Sequence, residues 1–453
     1  MTLYWVSYTM IDYADIPAWM AIAINGLMAL TLALYFGLFG YATAWISREI
    51  SSDAAIAAAP FVWVSVEFLR SNLGFLAFPW ARIADSQYTA LPIIQVADLV
   101  GEEGLGFLIV LGNVCVVRLI DWGVNKRRGG SRPFPRATVI VTLALVFASL
   151  VYGQARLASF SSSAREGEVP VAIIQGNIDQ KRKWDKSYTD EQMDIYLSRS
   201  MRAVEEGARL IVWPETAASF YFGAGTARDA EIFNLSKTTG VPMIFGAMGF
   251  SKADNDSYEF YNRAWLVRPD GLAQKYDKAR LVPFGEYVPM RNLLFFVEKM
   301  VAVIGEIKPG AGVTLLNVGD YMAGPQICFE IIFPRYSRII ARRGGSVIVN
   351  ITNDSWYGRT PASRQSLAMG VFRAVENRLP LLRAAQSGVS AIVSPTGEIT
   401  GETKLFTETT LMGRFTPRTG PPTLYTRSGD LFSWLCVAAL LTIIASALAR
   451  RRP

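Results

Sequence analysis

The sequence predicts an α/β layered domain carried between hydrophobic membrane spans. Three observations lead there. Short runs rich in Val and Ile alternate with helical patterns across residues 161–427, as strands separated by helices do in layered folds. Long apolar stretches lie before and after that region. Hydrophobic residues make up 51% of the 453, too many for an ordinary soluble enzyme and too few for a pure membrane bundle.

The elements follow in order. Trp19–Ala44 is long enough to cross a bilayer, at roughly 20 residues per span. Ala54–Leu69 is a weaker span containing Glu67, and an acid there faces protein or water rather than lipid. Leu91–Leu119 holds another, interrupted by Glu102 and Glu103 among Gly101, Gly104 and Gly106. Those glycines fit close helix packing better than a phosphate loop. Arg118, Lys126, Arg127, Arg128, Arg132 and Arg136 then crowd a short loop opposed only by Asp121. A basic loop of this kind is cytoplasmic. Ala137–Tyr152 crosses outward, and Leu431–Leu448 returns to end in Arg450–Arg452.

Both basic flanks give one orientation, with 161–427 and the acidic N-terminus (Asp12, Asp15) outside the cytoplasm. The expected division is 1–160 as a region of about four spans, 161–427 as one folded external domain, and 428–453 as a span with a basic tail. Because the basic excess behind the net charge of +7 sits largely in these flanks, it does not indicate nucleic-acid binding. With no basic region ahead of the first apolar run, no cleavable signal peptide is expected. Within the external region, Val169–Gln175, Arg209–Trp213, Met243–Gly246, Arg263–Val267, Ser346–Ile351 and Ser390–Ser394 read as strands. Asp190–Gly207 and Ser363–Asn377 read as helices.

The chain has no histidine, which excludes Ser-His-Asp and Cys-His catalysis and weakens zinc chemistry. Cys115, Cys328 and Cys436 show no metal-ligand spacing. Cys328 is the external domain's only cysteine and stands at a turn after the strand-like Tyr321–Ile327. It is either a nucleophile or a buried structural thiol. A nucleophile must lose its proton, and without imidazole the base is a carboxylate. Glu215 follows Leu210–Trp213 and Pro214, which would hold it rigid and poorly hydrated at a strand's end. Such desolvation favours the base-competent range of pKa; the alternative is a surface acid in a turn. Lys278, in Tyr276-Asp-Lys278, is either an oxyanion donor or a solvated lysine.

Taken together, these stretches resemble the nitrilase superfamily and, more narrowly, the bacterial apolipoprotein N-acyltransferase family. The resemblance is carried by Gln175–Ile178, Trp184-Asp185, Val212–Thr216, Tyr276–Pro289, Ile327–Glu330, Asn350–Gly358, Arg373–Arg378 and Arg383–Ser390. Pro79-Trp80 and the flanking spans extend it into the membrane part. It implies an αββα sandwich domain inserted between an N-terminal bundle of membrane helices and one C-terminal membrane helix. It also implies Glu215 as general base, Lys278 as oxyanion stabiliser and Cys328 as nucleophile. Glu286 and Glu330 match further acids of the family, Trp184 an aromatic near the active-site entrance, and Asn353 lies in a matching stretch.

By the same resemblance, a phospholipid would acylate Cys328, and the acyl group would pass to the amine of a diacylglyceryl-cysteine on a lipoprotein, with no metal or cofactor required. The bacterial inner membrane is the implied location, with the domain on its periplasmic side. A membrane-tethered amidase using water, or an inactive scaffold, are the competing readings. The chain departs from the family in having about two fewer leading spans, in Phe329 where tyrosine is frequent, and in Ser366 where histidine is usual. The apolar residues 293–304 are expected to form either a lid facing the bilayer or a core helix.

Overall fold

The computed structural model describes residues 3–163, 167–252, 256–288 and 307–450. The expected lid at 293–304 lies outside the described residues. The chain forms two compact units, one of residues 1–25 with 163–422 and the other of 26–162 with 423–453.

Five helices among the described residues are long and apolar enough to cross a membrane. Chain order begins with a short helix α1 (Trp5–Tyr13), then α2 (Ala18–Glu49), α3 (Ser52–Asn72), α4 (Ala97–Arg127) and α5 (Arg136–Ser163). The five long apolar helices are the four from α2 to α5 and Leu431–Ala449. α3 starts where Ser51 Oγ accepts the Ala54 amide at 3.1 Å, satisfying one of the free donors of a helix start.

Two expectations change in detail. Leu91–Leu119 is not one helix: Leu91–Ile94 forms a single turn with its proline in the first turn, and α4 follows. The basic stretch is mostly helix rather than loop, since Arg118, Lys126 and Arg127 belong to α4 and Arg136 opens α5. Lys and Arg propagate helices well and suit a C-terminal turn, where the dipole is negative. The first glycines of α4 pack closely. A Cβ on Gly101, whose φ is +74°, would lie 2.6 Å from the Tyr425 ring, and one on Gly106 would lie 3.3 Å from Glu67 Oε2. Glu67 faces protein, 3.8 Å from Arg70 and accepting the Ile83 amide at 3.3 Å.

The other unit is built on two sheets. Strand β1 (Val169–Gln175) leads to α6 (Thr189–Glu205), β2 (Leu210–Val212), β3 (Ala218–Tyr221), α7 (Ala227–Thr239), β4 (Met243–Lys252), β5 (Tyr258–Val267) and β6 (Ala273–Asp277). Then come β7 (Leu316–Asn317), β8 (Met322–Ile327), α8 (Pro334–Arg342), β9 (Val347–Thr352), α9 (Ala362–Asn377), β10 (Leu381–Ala385), β11 (Ala391–Val393), β12 (Ile399–Glu402) and β13 (Thr409–Phe415). One sheet runs β13-β1-β2-β4-β5-β6 with β3 paired to β4, and the other β12-β11-β10-β9-β8-β7.

Alternation along each strand divides its residues between two cores. Val171 and Ile173 of β1 join Val212, Ile244, Val347, Val349 and Leu382 in the core between the sheets. Ala172 and Ile174 point the other way, into a core with Met193, Tyr196 and Ala203 of α6 and Ile232 and Leu235 of α7. The second sheet is covered in the same manner. A Cβ on Gly324 of β8 would meet Ile340 of α8 at 2.2 Å, and one on Gly370 of α9 would meet Leu381 at 2.8 Å. The order of layers is therefore α-β-β-α, and the predicted α/β sandwich flanked by membrane helices is the observed fold.

Candidate active site

The candidate residues follow the ends of strands that face one another across the inter-sheet core. Glu215 lies three residues beyond β2, Lys278 follows β6 directly, Cys328 follows β8 directly and Asn353 follows β9 directly. Lys278 Nζ stands 3.2 Å from Glu215 Oε1 and 2.8 Å from Glu286 Oε1. Asn262 of β5 donates to both carboxylates, at 2.7 Å to Glu215 and 3.3 Å to Glu286. The Asn353 amide donates to the second Glu215 oxygen at 2.8 Å, and the Val282 amide does the same for Glu286. The readings of Glu215 as a surface acid and Lys278 as a solvated lysine therefore fail, because both side chains are buried.

Burial pulls the Lys278 ammonium down, but the carboxylates of Glu215 and Glu286 more than offset it and hold the group well above the ordinary lysine range. Cys328 is half-buried and sits at a turn with φ of +52°, a costly conformation for a residue with a Cβ. Burial, then the nearby Glu215 carboxylate, pushes its thiol up to about 12, while Lys278 and a hydrogen bond with Thr352 pull it down. Glu215, Lys278 and Cys328 thus share one electrostatic neighbourhood.

Glu330 braces that turn. Its Oε1 accepts from Tyr276 Oη at 2.7 Å, from the Ala279 amide at 2.7 Å and from the Arg280 amide at 3.0 Å. Its Oε2 accepts the Ile327 amide at 2.7 Å. The residue before Cys328 and the residues after Lys278 are therefore tied to one carboxylate. Phe329 packs edge-on against Phe333, with centroids 5.1 Å apart. Trp184 is 52% exposed, on the same turn as Gln180, which accepts from Asn353 Nδ2 at 2.8 Å.

Several neighbours were not legible as site residues. Asn262 is one polar residue in a strand otherwise read by its apolar run. Lys183 is the one fully buried cation of Lys181-Arg-Lys183, and nothing in that tripeptide distinguishes it. Asp354 accepts from Thr352 Oγ1 at 2.8 Å and from Arg383 Nη2 at 2.8 Å. α1 also reaches this region. Thr9 Oγ1 donates to the Trp356 carbonyl at 2.7 Å, and Tyr13 Oη to the Ser355 carbonyl at 2.9 Å. Among the described residues no three His, Cys, Asp or Glu side chains gather as metal ligands.

The arrangement places a thiol, a carboxylate and an ammonium together, the set needed for acyl transfer through a thioester. Residues 170–420 match the carbon-nitrogen hydrolase family, and residues 1–115 match the N-terminal domain of apolipoprotein N-acyltransferases. An apolipoprotein N-acyltransferase of Geobacter metallireducens is 40% identical over 453 residues, covering 99% of this chain and 84% of that protein. The chain belongs to the apolipoprotein N-acyltransferase family. A Rhodopseudomonas palustris member of this N-acyltransferase family is 33% identical over 467 residues, covering 100% of this chain and 83% of its own. Among solved structures, an amidase from Nesterenkonia superimposes with a TM-score of 0.40 at 21% identity, covering 56% of this chain and 92% of its own. With these apolar helices and this family membership, the chain is a multi-pass membrane protein.

Proposed function

We propose that this apolipoprotein N-acyltransferase takes its acyl group from a membrane phospholipid and carries it on Cys328. In the resting site the thiol is protonated, so attack and proton removal go together. Glu215 takes the proton as the sulfur bonds to the ester carbonyl carbon. The oxygen of that carbonyl becomes negative, and the Lys278 ammonium stabilises it, an effect typically worth about 3 kcal/mol. The ester C–O bond breaks, Glu215 returns the proton to the departing alkoxide, and a lysophospholipid leaves.

The second half uses the same groups. The free α-amine of an S-diacylglyceryl-cysteine attacks the thioester, Glu215 takes one of its protons, and the sulfur leaves and is reprotonated. An amide is formed and the enzyme is regenerated. Glu286 keeps Lys278 charged and placed; Glu330 and Asn353 hold the turn and the base. Trp184 stands exposed on the turn beside them, suited to contact an incoming acyl chain.

The observation that carries this reading is the Lys278 ammonium held between Glu215 and Glu286 beside a half-buried thiol. We take residues 161–427 as the catalytic domain, on the periplasmic side of the inner membrane. The basic residues at 118–136 and 450–452 support a cytoplasmic placement of those ends. The packing of α1 on residues 355–357 supports an N-terminus on the catalytic side.

The test is to incubate detergent-solubilised protein with a labelled phospholipid and a diacylated lipopeptide, and to weigh both protein and peptide. The expected result is an acylated Cys328 and an N-acylated peptide, with both absent in Cys328→Ala. Release of free fatty acid without peptide acylation would show water to be the acceptor and refute the proposal. An unacylated wild-type protein would refute the thioester.

A further inference from the structure

Lys183 is a buried cation that the scheme above leaves unused. It is 0% exposed, and its Nζ donates to the Glu215 carbonyl at 3.1 Å and to Thr216 Oγ1 at 2.6 Å. Thr216 Oγ1 donates in turn to the Glu215 carbonyl at 2.8 Å. The three groups close a ring around the peptide that joins Glu215 to Thr216.

That peptide needs holding. Thr216 has φ of +49°, a left-handed conformation that β-branched residues adopt only when the surroundings enforce it. β4 leaves little slack behind it. A Cβ on Gly246 would lie 2.4 Å from the Thr216 nitrogen and 2.6 Å from Glu215 Cα. Among the described residues the hydrogen-bond partners of this amine are both uncharged, so burying it carries a large desolvation cost. Burial pulls its pKa to about 7, with Glu215 opposing.

The backbone of Lys183 belongs to the turn that presents Trp184. Its amide donates to the Asp179 carbonyl at 3.0 Å, and Gln192 Nε2 donates to its carbonyl at 3.3 Å. Gln180 of the same turn holds Asn353 at 2.8 Å, and the Asn353 amide holds the Glu215 carboxylate at 2.8 Å. One turn therefore reaches Glu215 twice, through its backbone and through its carboxylate.

We propose that Lys183 is a positioning residue for proton transfer: its buried amine fixes the Glu215–Thr216 peptide, and so couples the aim of the Glu215 carboxylate to the turn that carries Trp184. This rests on the reading of Glu215 as the base. The test compares K183M, T216V, the double variant and E215Q in single-turnover acylation of Cys328. A diacyl phospholipid in detergent micelles is the donor, and acylation is read by intact mass across a range of pH.

The expected result is a fall in acylation rate of about ten- to a hundredfold in K183M, the size a displaced catalytic group produces. A smaller fall in T216V is expected, and a double variant no slower than K183M. The pH profile should also shift in K183M, which a purely structural role would not cause. Wild-type rates and profile in folded K183M and T216V, or losses that multiply in the double variant, would overturn the proposal. If K183M does not fold, T216V decides alone, since it keeps the lysine and removes one acceptor. E215Q separates the two readings. If E215Q is inactive while K183M is unaffected, only the role of Lys183 fails; if E215Q acylates like wild type, the base assignment itself fails.

Discussion

Replacing Glu330 by Gln exchanges one carboxylate oxygen for a group that cannot accept a hydrogen bond. Four donors converge on Glu330, so it works as an anion even though burial pushes its carboxyl up. A glutamine keeps most by placing its oxygen where Oε1 stands, facing Tyr276, Ala279 and Arg280. Its NH2 then meets the Ile327 amide at the position of a 2.7 Å bond, donor against donor.

One bond to a charged acceptor is lost and three are weakened to neutral strength, for a total of about 2–4 kcal/mol. Because Ile327 precedes Cys328, and the left-handed turn at Cys328 survives only while its neighbours enforce it, acylation should slow by about tenfold. The assay is thermal unfolding of the detergent-solubilised protein by intrinsic fluorescence, together with the mass of acylated Cys328. A fall in midpoint of roughly 5–15 °C is expected. A Gln variant with the wild-type midpoint and acylation rate would refute the bracing argument.

Two further outcomes follow from other parts of the site. With its thiol pushed up to about 12, resting Cys328 is neutral throughout the physiological range, and its thiolate fraction grows tenfold with each unit of pH. Alkylation by iodoacetamide without substrate should therefore keep rising between about pH 7 and pH 10, and a plateau near the ordinary thiol range would contradict the assignment of causes. At Gly358, φ is +57° and an added Cβ would lie 2.2 Å from the Tyr8 ring. Gly358→Ala should cost about 1–3 kcal/mol from the backbone alone and expose α1 to protease; an unchanged midpoint and cleavage pattern would show that α1 does not bear on residues 354–358.

Much of this protein was settled by local chemistry. Apolar length alone marks the five spans, because a hydrocarbon layer imposes it. Val- and Ile-rich runs mark β1, β2, β4, β5, β9 and β11, because β-branched side chains fit a pleated surface. The absence of histidine forces any thiol nucleophile onto a carboxylate base. Cys328, Glu215 and Lys278 stood out locally only as candidates with bland alternatives, and the family resemblance of the stretches around them supplied their expected roles. β3, β6, β7, β10, β12 and β13 were not marked: β10 carries the buried Arg383 within Leu381–Ala385, β13 mixes Thr, Gly and Arg, and the other four are only two to five residues long.

What only the tertiary structure decided is which polar residues are buried together. Lys181, Arg182 and Lys183 are alike in sequence, yet only Lys183 turns inward to Glu215. Asn262 takes its place from the antiparallel register that sets it opposite Met248 and aims its amide at two carboxylates contributed from outside its own strand. Glu330 was expected only as a further acid of the family, and the fold is what closes four donors from two distant stretches, 276–280 and 327, on it. Burial strengthens or weakens a charge according to what lies across the core from it, and no local stretch of chain contains that partner.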